Sequence, residues 1–354
     1  MLDMSNNVDI LEGYYPTQAC IILTFTCNAM CDECCFECGP KNPFTLTEEE
    51  IINAIDRISE IPSINYIIWT GGEAFLKYDL LLMGIKYAKQ KGIYSRVVSN
   101  GYWAANNETA KNKLIPLINS GLTELNVSTG DSHQAYVPIN RVLNAATCAA
   151  DLGIISLISV EESDKSVFSI DDINGNQQYL DFMRTSNHSD LLKIIPSIWV
   201  SFHRDQTLNY DKGRITAPEI SNGCESLFTT LVVDPKNVAL SCCGLSVEYI
   251  QELQLGEVFK TKNSLKSIFN MQKYDFMKQW LFVDGPIKVL DQVVEWNPSV
   301  RAPNFLHYCQ VCAFIFNEPV IKETIIKNYQ SIIDDVQLRF INKIRLKMLL
   351  QNKS

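Results

Sequence analysis

The stretch Cys27-Asn28-Ala29-Met30-Cys31-Asp32-Glu33-Cys34 decides how this chain is read. It follows the apolar run Ile21-Ile22-Leu23-Thr24-Phe25, which reads as a β-strand. Three thiols in one short loop are poorly placed to pair with one another as disulfides, but they can converge on one inorganic centre. Iron–sulfur clusters normally take four cysteine thiolates. A loop that supplies three leaves one iron open to another ligand, as in catalytic rather than structural metal sites. The competing reading is a zinc site or a set of redox-buffering thiols.

Outward from that loop, strands and helices alternate. Lys41-Asn42-Pro43-Phe44 breaks regular structure, and Thr47-Glu48-Glu49-Glu50 reads as a capping box. Ile51, Ile55 and Ile58 follow at helical spacing, and Pro62 ends that segment. Tyr66-Ile67-Ile68-Trp69 suits a buried strand, residues 80–88 a helix, and Ser95-Arg96-Val97-Val98-Ser99 a strand. Helices over 109–118 and 139–152 then alternate with strands over 125–128 and 154–160. This order predicts βα units around a parallel sheet, either a partial barrel or an open sheet. The polar stretch from Glu161 to about Ser189 reads as an irregular loop, and residues 194–202 as a further strand. Residues 320–353 read as one or two helices. The basic amphipathic stretch within them, from Ile341 to Lys347, suits a surface helix packed on its domain better than a membrane anchor.

Composition narrows the function classes. With 354 residues and 46% hydrophobic content, the chain has enough apolar sequence for a large core and more than one domain. A formal charge of −9 argues against a generally basic surface for nucleic acid. The first residues lack the basic-then-apolar pattern of a secretory signal, and no uncharged apolar run is long enough to span a bilayer. Twelve cysteines without an export signal point to metal binding or catalysis in a reducing, cytoplasmic setting, not to a disulfide framework.

Three further motifs fall at predicted strand ends, where barrel enzymes place their chemistry. Thr70-Gly71-Gly72-Glu73 closes the second strand; its glycines allow a sharp turn and close approach to a ligand. Ser99-Asn100-Gly101-Tyr102-Trp103 closes the third, and Ser128-Thr129-Gly130-Asp131-Ser132-His133 the fourth. Together with Cys27-x3-Cys31-x2-Cys34, these motifs resemble those of the radical S-adenosylmethionine (SAM) enzymes. The resemblance implies a partial (β/α)6 barrel. It implies a [4Fe–4S] cluster on Cys27, Cys31 and Cys34, with SAM on the fourth iron. Gly71, Gly72 and Glu73 would meet the methionyl ammonium, Asn100 the ribose or carboxylate, and Ser128 and Asp131 the ribose. His133 reads as structural. One departure stands out: the family usually has an aromatic residue just before the third cysteine, where this chain has Glu33, while Phe36 lies two residues after Cys34.

A second cysteine group lies in the C-terminal half. Cys224 precedes a predicted β-hairpin over 231–240 with its turn at Asp234 to Asn237; Cys242 and Cys243 follow it, and Cys309-Gln310-Val311-Cys312 comes much later. Cys224, Cys242, Cys309 and Cys312 can surround one metal, as a structural zinc or a second cluster. The layout is similar to the SPASM and twitch auxiliary-cluster domains of radical SAM enzymes, which implies a second iron–sulfur cluster. The expected organisation is a barrel over 1–216, an auxiliary domain over 217–318 and a helical segment over 319–354.

Cys243 remains outside that ligand set, and adjacent strand residues point to opposite sides. Its alternatives are a buried small hydrophobe and a hydrogen-atom donor facing the cavity. The paired cysteines, Cys34-Cys35-Phe36-Glu37-Cys38 and the strand-end motifs resemble the radical SAM epimerases that convert L-residues of ribosomal peptides to D-residues. That resemblance implies hydrogen abstraction by a 5′-deoxyadenosyl radical and return of a hydrogen from Cys243. It implies a precursor peptide and a flavodoxin- or ferredoxin-type electron donor as partners. Cys35 and Cys38 match without a physical role. Cys27 lies too near the start for an N-terminal leader-binding domain. The alternatives are a radical SAM enzyme forming thioether or carbon–carbon crosslinks and a metal-stabilised binding protein without turnover.

Overall fold

A computed structural model describes residues 11–32, 34–162, 166–199, 223–259 and 264–351. The chain divides into two compact units, one of Gln18–His203 with Val233–Asn237, the other of Met1–Thr17, Arg204–Val232 and Val238–Ser354.

The first unit is built on a parallel sheet. Its strands are β1 (Gln18–Thr24), β2 (Tyr66–Gly71), β3 (Tyr94–Ser99), β4 (Leu122–Thr129), β5 (Ile155–Glu161) and β6 (Leu192–Ser197). They lie in sequential order, each parallel to the next. The connecting helices are α1 (Glu48–Ser59), α2 (Tyr78–Gln90), α3 (Asn107–Ser120), α4 (Ile139–Asp151) and α5 (Gln177–Thr185). A doubly wound sheet reverses its strand order at a switch point. This one does not, so the winding is that of the expected α/β partial barrel. Every strand end lies on the same rim.

Local sequence accounts for the elements. Thr47 and Glu50 form the capping box of α1, whose buried face is Ile51, Ala54, Ile55 and Ile58. Trp69 on β2 is fully buried and donates its indole N–H to Ser95 Oγ at 3.1 Å. A Cβ on Gly84 would come within 2.4 Å of that indole, so α2 packs on the sheet through a glycine. The polar stretch after Glu161 departs from expectation: it holds a short helix, Ile170–Asn174, and then α5. Ser169 and Asp172 cap the first, Asn176 caps the second, and Ile173 and Phe182 supply the buried side chains. The strand expected over 194–202 is observed as β6, and residues 200–202 lie outside the described residues.

In the second unit, β7 (Thr230–Val233) and β8 (Val238–Leu240) form the expected hairpin, and β9 (Gln254–Glu257) pairs antiparallel with β8. Asn237 takes a positive φ of 66° in the turn, a conformation asparagine tolerates. Helices α6 (Leu265–Gln272), α7 (Phe276–Trp296), α8 (Tyr308–Asn317), α9 (Pro319–Asn328) and α10 (Ile333–Gln351) complete it. Phe228 lies at the centre of an aromatic core, 5.2 Å from Phe282, 5.3 Å from Phe340 and 6.4 Å from Phe269. The basic stretch of α10 packs on this unit: Phe340 and Ile344 are buried, and Lys343 and Lys347 both reach Glu225. No helix among the described residues is long and apolar enough to cross a membrane.

Candidate active site

The cysteine loop leaves β1 and is closed at its neck by backbone bonds from Cys27 N to Gly39 O and from Gly39 N to Phe25 O, each 3.2 Å. Inside the loop, Cys34 N donates to Cys31 O at 3.1 Å, and Ala29 N to Cys27 Sγ at 3.4 Å. Tyr136 Oη donates to Met30 O at 2.8 Å and ties the loop to the chain beyond β4. Cys38 has a role that its position in the sequence did not disclose. Its N–H donates to Cys34 Sγ at 3.3 Å and its thiol hydrogen-bonds the same sulfur, which pulls Cys34 below the usual thiol range and pushes Cys38 far above it. Burial pushes Cys27 up to about 11 and Cys31 up to about 12. Glu33 lies outside the described residues; the ring of Phe36 stands 6.0 Å from that of Phe25.

Gly71 and Gly72 fit β2 against the start of the loop. Gly72 N donates to Thr24 O at 2.7 Å and Glu73 N to Thr26 O at 3.0 Å. A Cβ on Gly71 would lie 2.2 Å from Thr24 O, and one on Gly72 2.3 Å from Thr26 O. Glycine is needed here for backbone approach within the protein itself. The Glu73 side chain turns inward, fully buried, and accepts from Phe75 N at 3.0 Å, Ser99 Oγ at 3.0 Å and Asn100 N at 2.7 Å. Burial outweighs those donors and raises its carboxyl to about 7. Ser99 Oγ also accepts from Gly101 N and from Trp103 Nε1, whose ring stacks on Phe75 at 4.0 Å. Glu73 thereby latches the end of β2 to the end of β3.

Asn100 extends that latch to the cysteines. Its Nδ2 donates to Asn28 Oδ1 at 2.9 Å and lies 3.8 Å from Cys27 Sγ, while its Oδ1 accepts from Tyr102 N. At the end of β4, Ser128 is buried, and Asp131 accepts from Val167 N at 2.7 Å and Phe168 N at 3.0 Å. Glu161, at the end of β5, was not singled out in the sequence. It accepts from Ser132 Oγ at 3.0 Å, lies 3.9 Å from His133 Nδ1 and interacts electrostatically with Cys31. A Cβ on Gly130 would come within 2.4 Å of Glu161 Cβ, so this pairing also depends on a glycine. His133 packs edge-on against Trp199 at 4.8 Å. Its remoteness in sequence hid this cluster.

In the second unit, Cys224, Cys242, Cys309 and Cys312 line one small cavity with Ser226 and Tyr308. Cys309 and Cys312 share the first turn of α8, where i and i+3 lie on one face. Burial raises Cys224, Cys242 and Cys312, and raises Cys309 to about 12. Cys242 and Cys243 lie just past β8, and they diverge: Cys242 is buried in the cavity and Cys243 is exposed. Among the described residues, no group of three or more His, Cys, Asp or Glu has the geometry to hold a single metal ion. A four-iron cluster sets its thiolates wider than one ion does, because each binds a different iron. Thiols whose protons burial makes costly to lose favour a soft, positively charged core that replaces those protons. Both cysteine groups fit that demand.

Residues 21–156 match the family model described as the Radical SAM superfamily. Two curated proteins share part of it. YydG of Bacillus subtilis (strain 168), provisionally named a peptide biosynthesis protein, is 29% identical over 132 residues, which are 37% of this chain and 41% of YydG. MJ1227 of Methanocaldococcus jannaschii, provisionally named a glycyl-radical enzyme activating enzyme, is 31% identical over 118 residues, 32% of this chain and 48% of that protein. The chain thus spans less than half the length of the curated relatives it matches. Among solved structures, BtrN in complex with AdoMet and 2-DOIA aligns with a TM-score of 0.46 at 14% identity, over 77% of this chain and 89% of BtrN. Streptococcus suis SuiB bound to its precursor peptide SuiA aligns with a TM-score of 0.44 at 11% identity, over 90% of this chain and 79% of SuiB.

Proposed function

We propose that this chain is a radical SAM peptide epimerase that converts an L-residue of a ribosomally made peptide to its D-form. The observation that carries the reading is the divergence of the paired thiols, Cys242 buried with three other cysteines and Cys243 exposed outside their cavity. The radical SAM match over 21–156 and the similarity to YydG, whose name refers to peptide biosynthesis, support it. When bound, the cluster on Cys27, Cys31 and Cys34 together with SAM supplies the 5′-deoxyadenosyl radical that takes the Cα hydrogen.

The chain's own residues do the rest. Gly71, Gly72 and Glu73 shape the methionyl end of the SAM site, Asn100 holds the cysteine loop to β3, and Ser128 and Asp131 face the ribose. Cys243 gives its sulfur-bound hydrogen atom to the planar Cα from the opposite face, forming a C–H bond and breaking the S–H bond. The resulting thiyl regains one electron and one proton to become a thiol again. Cys224, Cys242, Cys309 and Cys312 hold an auxiliary iron–sulfur cluster in a domain over 217–318, and a flavodoxin- or ferredoxin-type protein supplies electrons.

The test co-expresses the enzyme with each short open reading frame flanking its gene, in deuterated medium, and analyses the peptides by mass spectrometry. One deuterium at a Cα, without a crosslink, is expected. Cys243→Ala is expected to keep forming 5′-deoxyadenosine while losing the D-product. A thioether or carbon–carbon link that survives Cys243→Ala would assign the chain to crosslinking instead. A protein that binds no iron or never cleaves SAM ends both readings.

A further inference from the structure

We infer that Ser226 is a positioning residue that holds the Cys243 thiol in place for hydrogen transfer. The inference rests on the donor role proposed for Cys243. Ser226 Oγ accepts the Cys243 backbone N–H at 3.0 Å and lies 3.2 Å from Cys243 Sγ. One hydroxyl therefore engages both the backbone and the side chain of the same residue. A serine oxygen has two lone pairs and one hydrogen. The N–H occupies one lone pair, leaving a lone pair and the hydrogen toward the sulfur. The hydroxyl can receive the S–H or donate to the sulfur, and either bond keeps the thiol in one rotamer.

Ser226 is itself tightly held. Its turn joins Cys224 to β7. Cys224 N donates to Leu281 O at 2.9 Å, and a Cβ on Gly223 would come 1.9 Å from Phe282 O, so the chain has no room to slide there. Thr229 Oγ1 donates to the carbonyls of Glu225 and Ser226. Phe228 adopts a positive φ of 63° and buries its ring among Phe269, Phe282 and Phe340. This left-handed conformation is unfavourable for a bulky residue and is held by the aromatic core. The same turn thus sends Cys224 to the four-thiol cavity and the Ser226 hydroxyl to Cys243. Hydrogen-atom transfer depends steeply on the approach of donor to acceptor, so a thiol free to rotate would quench the substrate radical less often.

The test compares Ser226→Ala and Ser226→Thr with the wild-type holoenzyme, counting iron and sulfide in each. Without peptide, Ser226→Ala is expected to speed amide hydrogen exchange at Cys243 by about two- to tenfold, the factor of one net hydrogen bond. With a peptide identified by co-expression, it is expected to form several-fold more 5′-deoxyadenosine per D-residue, at unchanged iron content. Ser226→Thr restores both values. Unchanged exchange and unchanged coupling in Ser226→Ala would overturn the inference. A loss of iron in that variant would also overturn it, by assigning the hydroxyl to the four-thiol cavity. If Cys243→Ala still yields D-residues, the donor reading fails; if it does not, but Ser226→Ala stays fully coupled, only the role of Ser226 fails.

Discussion

Gly72→Ala isolates the contact on which the first cysteine group depends. The added Cβ would lie 2.3 Å from Thr26 O and 2.7 Å from Thr26 C, where ordinary contact begins near 3.4 Å. Both opposing atoms are backbone, so no side chain can swing aside. The strands must part by about 1 Å, which stretches the bonds from Gly72 N to Thr24 O and from Glu73 N to Thr26 O beyond hydrogen-bonding range. A buried backbone group left unpaired costs about 1–3 kcal/mol, so the two bonds predict a loss of about 2–6 kcal/mol. Thr26 precedes Cys27, and the same displacement moves the first thiol. The assay is urea-dependent hydrogen exchange over β1 to β3, together with iron and sulfide content after anaerobic reconstitution. Gly92→Ala is the control. Its φ is 76°, and nothing lies within 4 Å of an added Cβ, so only backbone strain of about 1–2 kcal/mol is expected, with iron loading intact. A Gly72→Ala protein that loads iron normally and loses less than about 0.5 kcal/mol would refute this reasoning.

Three further outcomes are expected. Burial holds the Glu73 carboxyl at about 7, so the folded state keeps a proton that the unfolded chain releases near pH 4.5. Stability of this unit should therefore fall by about 3 kcal/mol as pH rises from about 4.5 to about 7, and Glu73→Gln should flatten that slope in urea titrations. Cys224→Ser should remove about half of the reconstituted iron while SAM cleavage on the first cluster persists; full iron content would exclude Cys224 as a ligand. Lys273, fully buried, donates to Leu11 O at 2.6 Å, to Tyr14 O and to Asn270 Oδ1 at 2.7 Å. Lys273→Met should strand two main-chain carbonyls, costing about 2–5 kcal/mol and exposing residues 11–15 to faster hydrogen exchange.

Much of this protein was legible in one dimension because its cues are local. The thiol spacing of the first loop, the capping box at Thr47, the strand periods and the Asp234 to Asn237 turn each depend on residues close together in sequence. Chain alternation predicted the parallel sheet, but only the sequential strand order chose the barrel winding over a switched sheet. The helices at 170–174 and 177–185 stayed hidden because their polar faces outweigh the single apolar anchors, Ile173 and Phe182, and those anchors become visible only against the sheet. The same limit applied to the site. Gly-Gly-Glu was visible as a motif, yet the inward latch of Glu73 onto Ser99 and Asn100 joins residues 26 and 27 positions apart. Glu161 meets Ser132 across 29 positions, and Ser226 meets Cys243 across 17. Sequence by itself determined which groups can carry the chemistry, because side-chain identity and short spacing are written along the chain. Tertiary structure alone decided which of them are buried, paired or left free, because hydrogen bonding and desolvation depend on neighbours that only the fold brings together.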